Sequence, residues 1–156
     1  MSRKNEERNV RLVLEHFAAE SNHDYGATLA TLADDIEYRI IPLGLVIRGK
    51  DAAAHYYDQW WAAFPDVNIQ IERIIAAGEW VVAEASSTAT HLGTFMGIPP
   101  TGRKVLSRVC CLIRVRDGKM VEETVYYDQL ERLTQLGSTL ELDRRPLDVG
   151  QAVASR

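Results

Sequence analysis

The groups in this chain that could do chemistry are acids, imidazoles and phenols rather than metal ligands or nucleophiles. Its four histidines, His16, His23, His55 and His91, show neither a two-histidine helical spacing nor a nearby cysteine pair, so no metal site is expected. Ser86 and Ser87 sit in a strand-like run without a nucleophile elbow. The glycine-rich stretch Gly93 to Gly102 lacks a GK[ST] ending and precedes a strand rather than a helix, so it is not a phosphate cradle. Asp128 closes a strand-like run, and His55 and His91 are imidazoles that donate and accept near neutral pH. Aromatic residues accompany them in the stretch His55-Tyr56-Tyr57 to Trp60-Trp61 and Phe64, and in Tyr38 and Tyr126. Such a set suits moving a proton on and off a carbon acid beside an apolar wall, a reaction that needs neither a redox cofactor nor a metal, and no cofactor is expected.

These groups need elements to hold them. Val10, Val13, Leu14, Phe17 and Ala18 trace one face of a helix over Asn5 to Glu20, with Asn5 as its cap. A shorter helix is expected over Asp24 to Leu32, ended by Asp34-Asp35, and a third over Asp51 to Phe64, ended by Pro65-Asp66. Ile36 to Ile40 alternates like a short strand closed by Pro42 and Gly44; Val67 to Ile75 and Trp80 to His91 read as longer strands. The dense glycines and prolines of Gly93 to Gly102 make a loop. Lys104 to Arg116 and Met120 to Asp128 then form two strands joined by Asp117-Gly118, a pair tolerant of the positive φ that a two-residue hairpin turn demands. A last helix runs from Asp128 to Leu136.

Alternation divides the final strand into one set, Met120, Glu122, Thr124, Tyr126 and Asp128, and another, Val121, Glu123, Val125 and Tyr127, neither cleanly apolar. Asp128 stands equally well as the cap of the last helix. Arg108, sharing a face with Cys110, either holds an acidic or enolate oxygen or pairs with Glu84, Glu122 or Glu123. The alternate set Val109, Cys111, Ile113 and Val115 is apolar and expected to face outward, and a homodimer joined there across a two-fold axis is expected.

Gly93-Thr94-Phe95-Met96-Gly97-Ile98-Pro99-Pro100-Thr101-Gly102-Arg103, then Arg116-Asp117-Gly118-Lys119-Met120-Val121-Glu122, then Tyr127-Asp128-Gln129-Leu130 and Gln135-Leu136-Gly137 follow a recurring order and spacing. In these motifs the chain resembles the SnoaL-like polyketide cyclases of the NTF2-like superfamily, over roughly residues 5 to 137. It departs from many members in having Thr124-Val125-Tyr126-Tyr127 where they carry a tryptophan, and in a tail beyond the Gln-Leu-Gly ending. The resemblance implies an α+β cone: a curved antiparallel or mixed sheet with three N-terminal helices on its concave face, in one domain over residues 1–137 with an irregular tail at 138–156. It further implies a cofactor-independent cyclase acting on a small apolar, polyketide-like carbonyl compound, with Asp128 as general acid and base and His91 assisting. Tyr38, His55, Tyr56, Trp60, Arg108 and Tyr126 would contact the substrate. Epoxide hydrolases, dehydratases, isomerases and non-catalytic ligand binders share the pattern and stay open.

The net charge of −4 lacks the basic excess of a nucleic-acid binder. No apolar run approaches bilayer length, and the N-terminus MSRKNEERNV has no apolar signal core. Cys110 and Cys111 are neighbours on a strand, pointing to opposite faces, and read as reduced. A cytoplasmic location is expected.

Overall fold

The computed structural model describes residues 3–138; the expected tail beyond them lies outside the described residues. Helix α1 (Arg3–Ser21) buries Asn9, Val13, His16, Phe17, Ala19 and Glu20; of the expected face only Val13 and Phe17 are buried, Leu14 and Ala18 are exposed, and the inward stripe is turned to take in three polar groups. Helix α2 (Tyr25–Ala30) is capped by Asp24, whose side chain accepts from the Ala27 N–H. It stops before the expected end because the Thr28 and Thr31 hydroxyls bond back to the carbonyls of Asp24 and Thr28, drawing the chain out of helical pairing. Strand β1 (Leu32–Ile40) therefore starts early, and its register shifts between Leu32 and Glu37, leaving Asp34 and Asp35 exposed.

A single 3-10 turn, Ile41–Leu43, and Gly44 in the left-handed region (φ 64°) reverse the chain into β2 (Leu45–Arg48). This edge strand is not evident from the sequence pattern, since Pro42 and Gly44 read as the end of pairing. Helix α3 (Lys50–Ala63) follows, then β3 (Asn68–Ala77), β4 (Trp80–Thr90), β5 (Lys104–Arg116), β6 (Lys119–Tyr127) and α4 (Gln129–Gln135). The sheet order is β2-β1-β6-β5-β4-β3, antiparallel throughout except for β1 beside β6. The architecture is thus an α+β cone, with a curved mixed sheet and helices on one face. Asp117 and Gly118 both take positive φ (51° and 73°), as their hairpin requires.

Ala83, Ala85 and Ser87 of β4, Val109, Cys111 and Ile113 of β5, and Glu123, Val125 and Tyr127 of β6 share the face that the helices cover. The expectation that Val109, Cys111, Ile113 and Val115 face outward is corrected: Cys111, Ile113 and Val115 are buried in the main core, with Val109 packed against it. Alternation fixes which residues share a face but not which face the helices choose, and here the bulky α3 rings lie over the apolar one. The apolar surface on which the dimer expectation rested is therefore interior.

The glycine loop is tied down at both ends. His91 and the segment Gly102–Arg103 exchange two backbone hydrogen bonds, and the Leu92 and Gly93 N–H groups donate to the Ala63 carbonyl at the end of α3. A Cβ at Gly93 would lie 2.1 Å from the Ala62 oxygen, so this close approach of backbones requires glycine. Phe95 packs with Phe64 and Trp60, making a second small core that sets the end of α3 against the sheet.

Candidate functional site

Between α1, α3, α4 and the inner sheet face lies a hollow whose free space, mouth included, is about 570 Å3, of which about 60 Å3 is wide enough for the centre of a water molecule. Phe17, Ile40, Trp60, Val67, Ile69, Val109 and Val125 make its apolar wall, and Glu20, Tyr38, Tyr56, Ser87, Cys111, Glu123, Tyr127 and Arg132 supply its polar groups. It is narrow, flat-walled and ring-lined, the form expected of a site for a flat apolar ligand.

Two carboxyl groups dominate its chemistry. Glu123 faces inward because it alternates with Val125 and Tyr127; it is 3 % exposed. Burial raises its pKa to about 7, although a hydrogen bond with the Cys111 thiol partly offsets this by favouring the carboxylate. Glu20 projects from α1 one turn beyond His16 and Phe17, and burial, reinforced by repulsion from Glu123, raises its pKa to about 8. Both acids are thus raised toward neutral pH, the range in which a paired carboxyl site can give and take a proton.

A buried network holds Glu20. The Thr31 hydroxyl donates to the Thr28 carbonyl, so it accepts from His16 Nδ1 at 2.7 Å and fixes that nitrogen as the protonated one. His16 Nε2 is then an acceptor, 3.3 Å from the Tyr57 hydroxyl and 3.8 Å from Glu20 Oε2. Burial lowers the His16 pKa to about 4, so at neutral pH the contact joins a neutral imidazole to a protonated acid and is no ion pair. On the opposite side of the carboxyls, burial keeps the Tyr38 and Tyr56 hydroxyls in their neutral form.

Arg132 closes the far wall. Its guanidinium lies 3.7 Å from the centre of the Tyr127 ring and 5.1 Å from that of Trp60, and Nε donates to Ser107 Oγ at 3.1 Å. The residue is 4 % exposed, yet no carboxylate among the described residues pairs with it.

Of the residues expected from sequence, Tyr38, Tyr56 and Trp60 line this hollow. The others are not brought there. Asp128 is exposed and caps α4, its carboxylate accepting from the Glu131 N–H at 2.9 Å; it stands just past the end of β6, on the side of Tyr126. With Glu84, Arg108, Cys110 and Tyr126 it borders an open groove there, so the pocket position expected for Asp128, Arg108 and Tyr126 is corrected by the parity of their strands. His55 is exposed on the solvent side of α3, off the stripe of Ala53, Tyr57 and Ala63. His91 is buried but serves the loop: its Nδ1 accepts from the Thr101 N–H at 3.3 Å, its ring lies against Phe64, and it does not line the hollow.

Glu20, Glu123, Tyr127 and Arg132, with Ser87 and Cys111, are polar cavity residues not expected from the sequence. Three of them carry a signal in retrospect. Glu20 extends the Val13–Phe17 stripe, Glu123 falls on an otherwise apolar strand set, and Arg132 lies one turn before the buried Leu136. Ionisable groups on apolar faces are the sequence trace of a functional cavity.

The sequence profile of the SnoaL-like polyketide cyclases matches residues 9–136. The chain belongs to that family. Aklanonic acid methyl ester cyclase DnrD of Streptomyces peucetius is 37% identical over 60 residues, 38% of this chain and 41% of that protein. Nogalonic acid methyl ester cyclase of Streptomyces nogalater is 32% identical over 72 residues, 46% of this chain and 54% of that one. The matched stretch thus spans about two fifths to one half of these relatives. Over a longer span, AclR of Streptomyces galilaeus superposes with a TM-score of 0.77 at 27% identity, covering 89% of this chain and 87% of that one. Within the family, the chain's own pocket chemistry is that of Glu20, Glu123 and Arg132. No helix among the described residues is long and apolar enough to cross a membrane.

Proposed function

We propose that this protein is a cyclase-type enzyme that closes a ring in a polyketide-like carbonyl compound, with Glu123 as base and Glu20 as proton donor. The observation that carries the reading is one apolar cavity lined by two buried carboxyls, Glu20 and Glu123, both of which burial raises toward neutral pH. In an aldol closure, ionised Glu123 removes an α-proton flanked by carbonyls; the resulting carbanion attacks the receiving carbonyl carbon, forming the new C–C bond. Glu20 then delivers its proton to the carbonyl oxygen that has become an alkoxide. The substrate is isomerised, and a proton returned from Glu123 to Glu20, directly or through solvent, resets the pair. In this reading the role expected of Asp128 passes to Glu123, because Glu123 is buried in the cavity whereas Asp128 is exposed and caps α4.

Tyr38 and Tyr56 place neutral phenols beside the carboxyls, and Trp60, Val67 and Val109 give the flat wall against which rings would stack. The test is to supply aklanonic acid methyl ester, and in parallel to follow α-proton exchange of a 1,3-dicarbonyl probe in D2O by NMR. Wild-type protein should catalyse at least the exchange, and Glu123→Gln should abolish it while retaining the fold. Exchange at the uncatalysed rate with wild-type protein would refute the proposal.

A further inference from the structure

The carboxyl pair leaves part of the cavity's polar chemistry unused. Arg132 and Tyr127 both line the hollow, on the side formed by α4 and the end of β6. The Tyr127 hydroxyl is buried without a hydrogen-bond partner among the described residues. The Arg132 guanidinium carbon lies 3.7 Å from the centre of the Tyr127 ring, and among its five donors the Nε–H, bonded to Ser107, is the one with a partner among the described residues. Its planar edge is free to meet a ligand.

A buried cation without a counter-ion is costly, and neither acid supplies one. What shifts Glu20 is burial and Glu123; what shifts Glu123 is burial and Cys111; the groups that Arg132 feels are the tyrosines 127, 56 and 38. Glu123 and Tyr127 stand on one face of β6 about 13 Å apart along the strand, and Arg132 lies over the Tyr127 ring, so the cation sits toward the end of β6 and Glu123 toward its middle. An unpaired guanidinium and, beside it, an unpartnered phenol on residues that line one hollow are complementary to a single kind of group, an oxygen bearing negative charge.

We infer that Arg132 and the Tyr127 hydroxyl seat an ionised oxygen of the ligand, so that the substrate class is a flat apolar anion carrying a carboxylate or the enolate of a 1,3-dicarbonyl. This rests on the reading of the hollow as the reaction site, and it adds an orientation: the charged end lies at α4 and the carbon acid toward Glu123. Stacking on Tyr127 and Trp60 holds the guanidinium plane before the ligand arrives, so the fork is pre-organised.

Calorimetric titration with three flat probes tests it: 2-naphthoate, its neutral methyl ester, and 2-acetylindane-1,3-dione, which is an enolate at neutral pH. Wild-type protein should bind at least one of the two anions roughly tenfold or more tighter than the ester, the gain of a charge-assisted hydrogen bond. Whichever anion is preferred identifies the source of the oxyanion. Arg132→Met should erase that preference while leaving the ester's affinity in place, and Arg132→Lys, which keeps charge without the planar fork, should restore part of it. Tyr127→Phe should weaken the anion alone. Equal binding of anion and ester by wild-type protein, binding of none of the three, or an anion preference surviving in Arg132→Met overturns the inference. Glu123→Gln separates this from the proton-transfer proposal: it should lose catalysis and keep the anion preference, so either idea can fail without the other.

Discussion

Glu122 and Glu123 are neighbours on β6, and so are Tyr126 and Tyr127, yet each pair is split between two environments. Glu122, on the outer face and about one quarter exposed, meets Arg39 at 2.7 Å, and Arg39 also pairs with Glu37. Glu123, one residue on, is buried among Val125, Cys111 and aromatic rings with no cation in contact, and its pKa rises to about 7. Tyr126 is 44% exposed beside Arg108 and Asp128, whereas Tyr127 carries Arg132 on its ring and hides an unpartnered hydroxyl. Residue type is constant across each pair; what differs is which side of a pleat the helices cover. The environment of each acid and phenol is thus a property of strand parity, set by which face the helices desolvate.

The sharpest way to break that comparison is to remove the charge from each face in turn. Glu123→Gln should lower turnover by roughly 100-fold or more, the range expected for loss of a general base. Glu122→Gln should leave turnover within about threefold and cost less than about 1 kcal/mol in a urea melt, as a half-exposed ion pair does. Comparable losses of turnover in the two variants would show that the two faces are not chemically distinct.

Stability against pH is the next largest effect, and the inner face governs it. Glu20 and Glu123 have folded-state pKa values of about 8 and about 7, raised from 4.5, so the native chain binds these protons more tightly than the unfolded one. The stability they confer is full below about pH 4.5 and is lost as pH rises through about 7 and about 8. His16 works in the opposite sense: lowered from 6.5 to about 4, it confers stability above about pH 6.5 that is lost as pH falls toward 4. Together they place the best stability of this cluster in mildly acidic solution, with a decline of a few kcal/mol by about pH 9. Glu20→Gln should flatten the alkaline decline, so that the variant is the more stable protein at pH 9 and has no such advantage at pH 5.5. An unchanged alkaline slope would mean that Glu20 is solvated. For activity the same pair should give a narrow bell, rising with ionisation near pH 7 and falling as the donor's proton is lost near pH 8, values that belong to the coupled pair.

How much of this was legible from the sequence follows from the same parity argument. The helices, the long strands and the Asp117-Gly118 hairpin were, because periodicity and turn chemistry are local. The SnoaL-like motifs carried the fold class as well. Tyr38, Tyr56 and Trp60 were legible too, since a helix or strand with large rings on one stripe has to bury them. Asp128, Arg108 and Tyr126 were misplaced together, because they share one strand-parity class and a sheet with helices on one side gives no local sign of which class is covered. Glu20 and Arg132 depend on contacts between α1, α4 and strands many residues away, which no window of sequence contains. The β1–β6 parallel pairing and the edge strand β2 were hidden for the same reason.

The smallest expected effect is also the one that most directly sharpens the contrast between faces, and it concerns Asp128. Its carboxylate caps α4 through the Glu131 N–H, and α4 carries Arg132 into the cavity. Asp128→Ala should therefore cost about 1 kcal/mol, the usual worth of a helix cap, and weaken ligand binding slightly through looser placement of α4, with little change in the rate of the bound complex. Asp128→Asn keeps the cap, because an amide oxygen accepts the same N–H bond, and should leave both stability and turnover within about twofold of wild type. The two substitutions separate capping from catalysis: a capping residue is sensitive to alanine and indifferent to asparagine, whereas a proton carrier tolerates neither. If Asp128→Asn abolished turnover in a protein of undiminished stability, proton transfer would belong to the outer groove of Glu84, Arg108, Tyr126 and Asp128, and the buried pair behind it would be a structural feature of the core.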